Sequence, residues 1–239
     1  MKFRTAFTLM MLTLFAPEAT RANSSVMVTF TFDDVPKSVF TVGFPILEKY
    51  HYPATIYVET RNTTFNGYMN WDDVGVVAKA GWEIGAHTHT HPHLTKLTNE
   101  EILEDLLIST QEFAAHGYAP QNFASPFGDM DERVLAIIKR HYASQRAAWP
   151  NGVNVGELDP YNIQSYAISK DTTWEEMSNL LDGLQREGGW LVLQMHDVTP
   201  KGVTVGQQYD TNLLEDIVEE VHSRGFPVIT IRQALENLQ

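Results

Sequence analysis

Short apolar runs alternate with amphipathic helical patterns along almost the whole chain of 239 residues. About eight of these runs are rich in β-branched and aromatic residues and end at turn residues, which is typical of buried strands. We place the strands at 26–34, 53–59, 82–88, 122–128, 142–148, 162–169, 190–197 and 226–231. Because strands that alternate with helices form parallel sheets covered by helices, the pattern predicts an α/β fold. About eight strands in one domain favour a (β/α) barrel over an open sheet.

The first 22 residues have the pattern of a secretory signal peptide. Two basic residues, Lys2 and Arg4, precede an apolar run, Ala6–Phe15, and Thr20-Arg21-Ala22 is an acceptable cleavage site. An apolar run this short does not cross the ~30 Å hydrocarbon core of a bilayer. A retained membrane anchor or a buried helix is the alternative. We therefore predict an exported protein, periplasmic or secreted, with no stable membrane insertion after cleavage.

The mature chain, residues 23–239, would carry a formal charge of −15, from 14 Lys and Arg against 29 Asp and Glu. Such a surface disfavours nucleic acid and anionic lipid as partners, because phosphate recognition needs basic patches. A neutral or cationic partner fits better. The chain has no cysteine, so an exported form must rely on its core rather than on disulfides. Since no linker or repeat interrupts the pattern, we predict one domain.

A histidine cluster follows the third predicted strand. Four of the nine histidines lie within seven residues: His87, His89, His91 and His93. Neutral imidazole is the commonest metal ligand among side chains, and a His-x-x-x-His spacing brings two of them together. The first strand ends in Asp33-Asp34, and one of these carboxylates would complete a three-ligand site that leaves room for water. The alternative is a His-rich surface tract that binds metal without catalysis.

Other strands also end at residues of chemical interest. The fourth ends in Pro126-Phe127-Gly128, the fifth near Arg146 and the seventh in His196-Asp197. In (β/α) barrels the active site lies at the carboxyl ends of the strands. We therefore expect these residues to meet the histidine cluster and the aspartate pair at one mouth.

Four motifs in this sequence resemble, in order, those of the polysaccharide deacetylases with a NodB homology domain, also called carbohydrate esterase family 4. They are Thr31-Phe32-Asp33-Asp34, His87-Thr88-x-x-His91-Pro92, Pro126-Phe127-Gly128 and Leu193-x-x-His196-Asp197. The first two together are specific, whereas the other two are weak on their own. The resemblance extends from Val28 to about Leu235 and implies a single-domain (β/α) barrel, distorted and with seven or eight strands.

The resemblance also implies a divalent metal held by Asp34, His87 and His91. Zn²⁺ is the expected ion, with Co²⁺ or Ni²⁺ as alternatives, because three protein ligands and an open position are typical of catalytic zinc. Asp33 would be the general base that takes a proton from the attacking water. His196 would protonate the departing amine, since an amine does not leave as an anion.

Weaker assignments concern the substrate and the oxyanion. By the same resemblance, the backbone N–H near Phe127 would help to hold the oxyanion, and Leu193 would line a pocket for the acetyl methyl group together with Met195. Trp149, in the loop after the fifth strand, would stack on a sugar face if its ring is exposed, although burial is the usual fate of a tryptophan. His89 and His93 match no ligand of the family, and we interpret them as bystanders.

The sequence departs from the family pattern at two places that matter for catalysis. The third motif usually begins with an arginine that tethers the catalytic aspartate, and Ala124 stands there instead. We hypothesise that Arg146 reaches across as a substitute. The fourth motif, an Asp and a Trp, has no clear counterpart. Asp171 and Trp174 lie at roughly the right distance before His196, but Asp171 is more easily interpreted as a helix N-cap.

These features predict a metal-dependent hydrolase that removes N-acetyl groups from a GlcNAc-containing polysaccharide or oligosaccharide and releases acetate. Chitin oligomers, peptidoglycan and poly-GlcNAc are the candidate substrates. An O-acetyl esterase acting on xylan-like glycans is the nearest alternative, because the same site can cleave either bond. An inactive carbohydrate-binding relative and an amidase for small amides are further alternatives.

Overall fold

A computed structural model describes residues 26–199 and 209–238. The predicted signal peptide and its cleavage site lie outside these residues. The main sheet consists of β1 (Val26–Asp33), β2 (Thr55–Val58), β3 (Glu83–Ala86), β4 (Asn122–Ala124), β5 (Ser144–Arg146), β6 (Tyr166–Ala167) and β7 (Gly189–Met195). A separate pair, β8 (Val198–Thr199) and β9 (Tyr209–Asp210), follows.

All seven strands of the main sheet run parallel, in the order β5-β4-β3-β2-β1-β7-β6. The two ends of this sheet approach each other, because a parallel bridge joins Arg146, the last residue of β5, to Ile163 before β6. The sheet therefore curls into a distorted barrel with its helices outside. This confirms the predicted fold class.

The helices begin where the sequence supplies caps. They are α1 (Phe44–Glu48), which continues a π-helical turn (Val39–Gly43), α2 (Trp71–Lys79), α3 (Asn99–Ala115), α4 (Glu132–His141), α5 (Trp174–Glu187), α6 (Thr211–Ser223) and α7 (Ile231–Asn237). Reciprocal capping boxes start α2, α3, α5 and α7. Each box satisfies two backbone N–H groups that the first helical turn leaves unpaired. Among the residues that the structure describes, none of the helices is long and apolar enough to cross a bilayer.

The predicted eighth strand, 226–231, is reduced to one bridge between Val28 and Val228. This bridge can form because the ladder between β1 and β2 begins only at Thr31. The residues of β1 before Thr31 are therefore not paired with β2 on that edge. Pro227 has no N–H to donate to a longer ladder. The chain then continues into α7, whose Ile231 packs inside the barrel.

Strand alternation divides the core into two layers. The larger cluster lies between the sheet and the helices and includes Phe30 and Phe32 of β1. The smaller one fills the barrel and includes Met27 of β1, Tyr57 and Trp190. Successive side chains of a strand point to opposite faces of the sheet. Phe32 points towards the helices, so Asp33 points into the barrel, where its carboxyl group contacts other side chains.

Candidate active site

Three of the predicted metal ligands converge at the carboxyl ends of β1 and β3. The Asp34 carboxylate oxygen Oδ1 lies 3.3 Å from Nε2 of His87 and 3.2 Å from Nε2 of His91. One ligand atom from each side chain falls within 4.8 Å of the others. Two imidazole nitrogens and a carboxylate oxygen are the donors that catalytic zinc sites use. The set therefore fits a small divalent cation.

The charge state of Asp34 suits a ligand. Burial acts to raise the pKa of this carboxyl, but hydrogen bonds and charge interactions with His87 and His91 outweigh burial and hold the pKa far below its usual range. Asp34 is therefore ionised over the whole physiological pH range. An ionised carboxylate next to two imidazoles binds a cation without first losing a proton.

The orientation of His87 is fixed from behind. Its Nδ1 lies 2.7 Å from the carbonyl oxygen of Ala124, so the ring donates its Nδ1–H there and keeps the Nε2 lone pair for the site. Such outer partners set the tautomer and the direction of ligating histidines. Ala124, which lacks the side chain that the family has at this position, thus serves the site through its backbone.

Strained backbone surrounds the site. Asp34, Val35, Thr88, His91 and Phe127 all have φ between 49° and 69°, although none of them is glycine. Each such residue costs on the order of 1–3 kcal/mol and persists only where its surroundings impose the conformation. Residues of this kind cluster at functional sites. The cluster here lies at the ends of β1 and β3 and in the turn after β4.

Asp33, the predicted base, is almost fully buried beside the ligand set. Its Oδ2 accepts hydrogen bonds from Nη2 of Arg146 at 2.5 Å and from Nε2 of Gln194 at 3.2 Å. Nε2 of His196 lies 3.8 Å from the same oxygen. Within the described residues its Oδ1 has no hydrogen-bond partner. The structure thus brings Arg146 to the aspartate that we hypothesised it tethers.

Arg146 is supported by residues that sequence reasoning missed. Its guanidinium lies 5.0 Å from the ring centre of Tyr57, and its Nη1 is 3.5 Å from Oγ of Ser165. A Cβ at Gly85 would lie 2.6 Å from the Tyr57 ring, so the glycine makes room for it. Gln194 was also missed, although its position two residues before His196 on the same strand places both on one face.

His196 lies with its side chain 14% exposed at the end of β7. Burial lowers its pKa, although the charges of Asp33 and Asp34 oppose this shift. Its Nδ1 is buried without a hydrogen-bond partner in the part of the chain that the structure describes. The site therefore contains an imidazole whose neutral form is favoured, beside a carboxylate.

Asp171, the candidate aspartate of the fourth motif, does not line the site. The side chain of Asp171 is 79% exposed and pairs with Lys170, so it does not approach His196. The N-cap interpretation of Asp171 is also wrong, because Thr173 caps α5 and forms its capping box with Glu176. The helix starts two residues later than the sequence pattern indicated.

A cleft of about 490 Å³ lies over the cluster. The predicted site residues that line it are Asp33, Asp34, His87, His91, Phe127, Trp149 and His196. Phe127 and Trp149 stand at the rim with 54% and 66% of their surfaces exposed. The ring of Trp149 stands open beside the cleft, so it meets the condition of exposure on which its predicted stacking role depends.

Leu193 does not line this cleft, which corrects its assignment to an acetyl pocket. Leu193 and Met195 are fully buried in the layer between the sheet and the helices. The strand alternates, so Gln194 and His196 face the cleft and their neighbours face away. Ile168 and Ala167 supply apolar lining instead.

The other two histidines of the cluster lie outside the ligand set. Nδ1 of His89 is 2.9 Å from Oγ1 of Thr60, on the β2 side of the loop. His93 stacks on Phe127 with ring centres 3.9 Å apart, and its Nδ1 is 2.8 Å from Oδ2 of Asp129. His93 therefore supports the ring at the rim, while His89 ties the loop to β2.

This chain belongs to the polysaccharide deacetylase family. The family's sequence profile matches residues 20–144, which is more than half of the chain. That stretch carries Asp33, Asp34, His87 and His91, together with the Pro126-Phe127-Gly128 turn.

Known proteins similar to this chain extend the comparison. Chitin deacetylase 3 of Cryptococcus neoformans is 29% identical over 185 residues, which are 73% of this chain and 42% of that protein. Peptidoglycan-N-acetylglucosamine deacetylase PgdA of Listeria monocytogenes is 26% identical over 207 residues, 81% of this chain and 43% of that protein. The chain thus spans about two fifths of the lengths of these two relatives.

A solved structure supports the fold. The family 4 acetyl xylan esterase of Clostridium thermocellum superimposes with a TM-score of 0.63, covering 89% of this chain and 93% of that chain at 20% sequence identity. Identity at this level carries the architecture and not the substrate.

Proposed function

We propose that this protein is a metal-dependent hydrolase that removes N-acetyl groups from a GlcNAc-containing polysaccharide or oligosaccharide and releases acetate. The observation that carries the proposal is the convergence of Asp34, His87 and His91 beside the buried carboxylate of Asp33. Relatives named as deacetylases of chitin and of peptidoglycan support the substrate class.

The metal would be held by Asp34, His87 and His91. When bound, a divalent ion such as Zn²⁺ supplies Lewis acidity, which acidifies water and polarises a carbonyl group. The left-handed backbone at Asp34 and His91 aims both side chains at one point. Because Asp34 is ionised and Nδ1 of His87 is occupied by a carbonyl, both present lone pairs to that point.

Asp33 would act as the general base. Its Oδ2 is engaged by Arg146 and Gln194, which leaves Oδ1 as the oxygen that accepts a proton from the attacking water. His196 faces the same cleft and, once protonated to the imidazolium, would donate that proton to the departing sugar amine, so that the C–N bond breaks to a neutral amine and the imidazole returns to its neutral form. The left-handed turn at Phe127 would present its backbone N–H to the developing oxyanion.

At the rim, Trp149 and Phe127 would receive the sugar ring next to the scissile amide. Exposed aromatic faces beside a polar cleft suit stacking on the apolar face of a pyranose. Residues 23–239 would form the catalytic domain, exported by a signal peptide over residues 1–22. The N-acetylated glycan outside the cell membrane is then the partner, and nucleic acid is not.

A glycan panel tests this function. Chitopentaose, a β-1,6-linked poly-GlcNAc oligomer, peptidoglycan fragments and acetylxylan are incubated with the zinc-loaded protein and with Asp33→Asn, and the products are measured by mass spectrometry. We expect a loss of 42 Da per acetyl group from at least one GlcNAc substrate with the wild type only, a mass difference set by the replacement of acetyl by hydrogen. Acetate release from acetylxylan alone would instead identify an O-acetyl esterase. Glycan binding without acetate release would identify an inactive relative and overturn the proposal.

A further inference from the structure

A buried carboxylate outside the ligand set grips the loop between the two ligand histidines. Asp105 lies on α3 and is 8% exposed. It accepts hydrogen bonds from the backbone N–H of His89 at 2.6 Å, from the backbone N–H of Thr90 at 3.1 Å and from Oγ1 of Thr90 at 2.5 Å. All three donors belong to the stretch that separates His87 from His91.

No Lys or Arg pairs with Asp105 in the ranges 26–199 and 209–238. Buried carboxylates are costly unless they are paired or hydrogen-bonded, so the three loop donors are what stabilise this charge. The dependence is mutual, because the loop amides in turn have the carboxylate as their acceptor. The carboxylate of Asp105 and the loop therefore restrict each other's conformation.

The loop needs such restriction because its backbone is strained. Thr88 and His91, which bracket the gripped residues, have φ of 69° and 55°. The left-handed region is especially unfavourable for a β-branched residue such as Thr88. Without an external hold, the loop would relax towards ordinary φ values, and the His91 ring would turn away from Asp34.

The opposite edge of the loop is also held. The backbone N–H of Thr60 donates to the carbonyl of Thr88 at 3.2 Å, and the N–H of Arg61 donates to the carbonyl of His89 at 3.1 Å. The loop's carbonyls thus bind the chain after β2, and its N–H groups bind Asp105 on α3. The first set of contacts is formed by backbone groups together with the Thr60 hydroxyl, whereas all three contacts of the second depend on the Asp105 carboxylate, which a single substitution removes.

We propose that Asp105 is a positioning residue that sets the metal affinity of the site by holding the loop in the conformation that directs His91 towards Asp34. Asp105 touches neither the three ligands' donor atoms nor the cleft. The inference rests on the proposed metal site. Outer partners that fix metal ligands typically contribute about 10–100-fold to metal affinity.

Asp73 provides a matched control. Its exposed fraction is also 8%, and it accepts hydrogen bonds at the start of α2, from the backbone N–H of Asn70 and from Nζ of Lys37. It is an equally buried, hydrogen-bonded aspartate that differs from Asp105 in its ion pair with Lys37 and in having no contact with the ligand loop. If the role of Asp105 is purely structural, substitution of Asp105 and substitution of Asp73 should change Zn²⁺ affinity equally.

The experiment compares Zn²⁺ affinity in the wild type, Asp105→Asn, Asp105→Ala and Asp73→Asn. Affinity is measured by competition with a chromophoric chelator at pH 7.5, and the stability of the metal-free proteins by urea unfolding. We expect both Asp105 variants to bind Zn²⁺ about 10–100-fold more weakly and Asp73→Asn to bind it as the wild type does. Both asparagine variants should unfold at lower urea than the wild type.

Unchanged Zn²⁺ affinity in a folded Asp105→Asn overturns the inference, and so does an equal loss in Asp73→Asn. If the Asp105 variants do not fold, Thr90→Val decides, because it removes only the hydroxyl contact. Thr90→Val should bind Zn²⁺ less tightly than the wild type, and wild-type affinity would overturn the inference. A wild type that binds no Zn²⁺, Co²⁺ or Ni²⁺ overturns the proposed metal site itself, and this failure shows before any variant is compared.

Discussion

Nη2 of Arg146 lies 2.5 Å from Oδ2 of Asp33, in an ion pair whose side chains are 1% and 3% exposed. The two residues end β5 and β1, which are separated by three strands in the sheet order, so the arginine crosses the inside of the barrel to reach the aspartate. The pair engages one carboxylate oxygen and leaves the other without a partner among the described residues. If Asp33 is the general base, as we propose, this arrangement gives it one oxygen for orientation and one for the proton.

The first prediction concerns the stability of this pair. Arg146→Met should lower the free energy of unfolding by about 3–5 kcal/mol, because it leaves a buried carboxylate without its cation. The double variant Asp33→Asn/Arg146→Met should recover part of that loss, since no charge remains uncompensated. Urea unfolding of the wild type and of the variants measures both effects. Additive losses in the double variant would show that the two residues are not coupled.

Arg146→Met should also reduce turnover while Zn²⁺ affinity stays unchanged, because the arginine contacts Asp33, the proposed base, and none of the three proposed ligands. Arg146→Lys is the matched variant, since it keeps the charge but loses the flat guanidinium that lies over Tyr57. It should fall between the wild type and Arg146→Met. Wild-type turnover in Arg146→Met would remove Arg146 from the positioning of Asp33.

The second prediction concerns the metal. Zn²⁺ at about 100 times its dissociation constant should raise the free energy of unfolding by about 2.7 kcal/mol, because the ion binds the folded chain and not the unfolded one. His91→Asn should abolish most of this gain. Differential scanning fluorimetry with and without EDTA follows this stabilisation as a shift in the melting temperature. His116→Asn is the control, since His116 stacks on Trp71 away from the ligand set. An equal gain in His91→Asn would exclude His91 as a ligand.

Much of this site could be predicted from sequence, since the residues at the ends of β1, β3 and β7 follow short apolar runs. Parallel strands end at one edge, so Asp34, His87 and His91 had to lie near each other once the strands were recognised. The (β/α) order fixed the architecture for the same reason. Local pattern and global fold agree here.

What sequence could not supply were the contacts inside the barrel. Tyr57 and Gly85 lie on different strands, and nothing local distinguishes them from ordinary core residues, whereas Gln194 is marked only by its spacing of two residues before His196. Their arrangement around Arg146 depends on strand register and on the curl of the sheet. The prediction of an eighth strand was wrong for a similar reason. The β-branched residues near Val228 favour a strand, but the cap at Thr230 starts α7 and ends the extended segment.

The third prediction concerns Gly85, which lies against the Tyr57 ring. In Gly85→Ala the added Cβ would approach the ring to 2.6 Å, so the ring must move, and overpacking of this kind costs about 1–3 kcal/mol. Displacement of Tyr57 disturbs the guanidinium above it and should lower turnover. Gly85→Ala/Tyr57→Leu should recover stability because the ring is removed, but not turnover. Full recovery of turnover in the double variant would mean that Tyr57 does not support Arg146.

The fourth prediction concerns the pH dependence of stability at His196. Burial lowers the pKa of the folded imidazole, whereas the unfolded residue titrates near ~6.5. Between these two values the unfolded chain binds more protons, so this group makes stability rise as pH rises through that interval. In metal-free His196→Asn this contribution is absent.

Urea unfolding at pH 5 and pH 7.5 measures the effect. The variant should gain stability relative to the wild type as the pH falls from 7.5 to 5. The comparison with the variant is needed because His87 acts in the opposite direction: burial lowers its pKa, but the hydrogen bond with Asp34 and the nearby negative charges outweigh burial and raise it. A stability difference that is the same at both pH values would contradict the prediction. Turnover of the zinc-loaded variant should fall by about 10²–10⁴-fold if His196 is the general acid.

The last prediction concerns Phe127 at the rim of the cleft. Its ring stacks on His93 at 3.9 Å and meets His91 edge-on at 4.5 Å, and Asp129 accepts hydrogen bonds from both His93 and Thr95. The contacts from Asp129 through His93 thus hold the Phe127 ring, which is half exposed at the rim of the cleft. Because an aromatic pair contributes about 0.5–1.5 kcal/mol, His93→Ala should raise KM for an active oligosaccharide about 2–10-fold.

The effect should fall on KM more than on kcat, since His93 contacts the substrate-facing ring and not the base or the acid. His93→Phe keeps the stacked ring and loses only the hydrogen bond to Asp129, so it should retain most of the wild-type KM. Zn²⁺ affinity separates this role from an indirect effect on the neighbouring ligand. If His93→Ala weakened Zn²⁺ binding as much as it raised KM, the histidine would act through His91, and the ring of Phe127 would have no part in substrate binding.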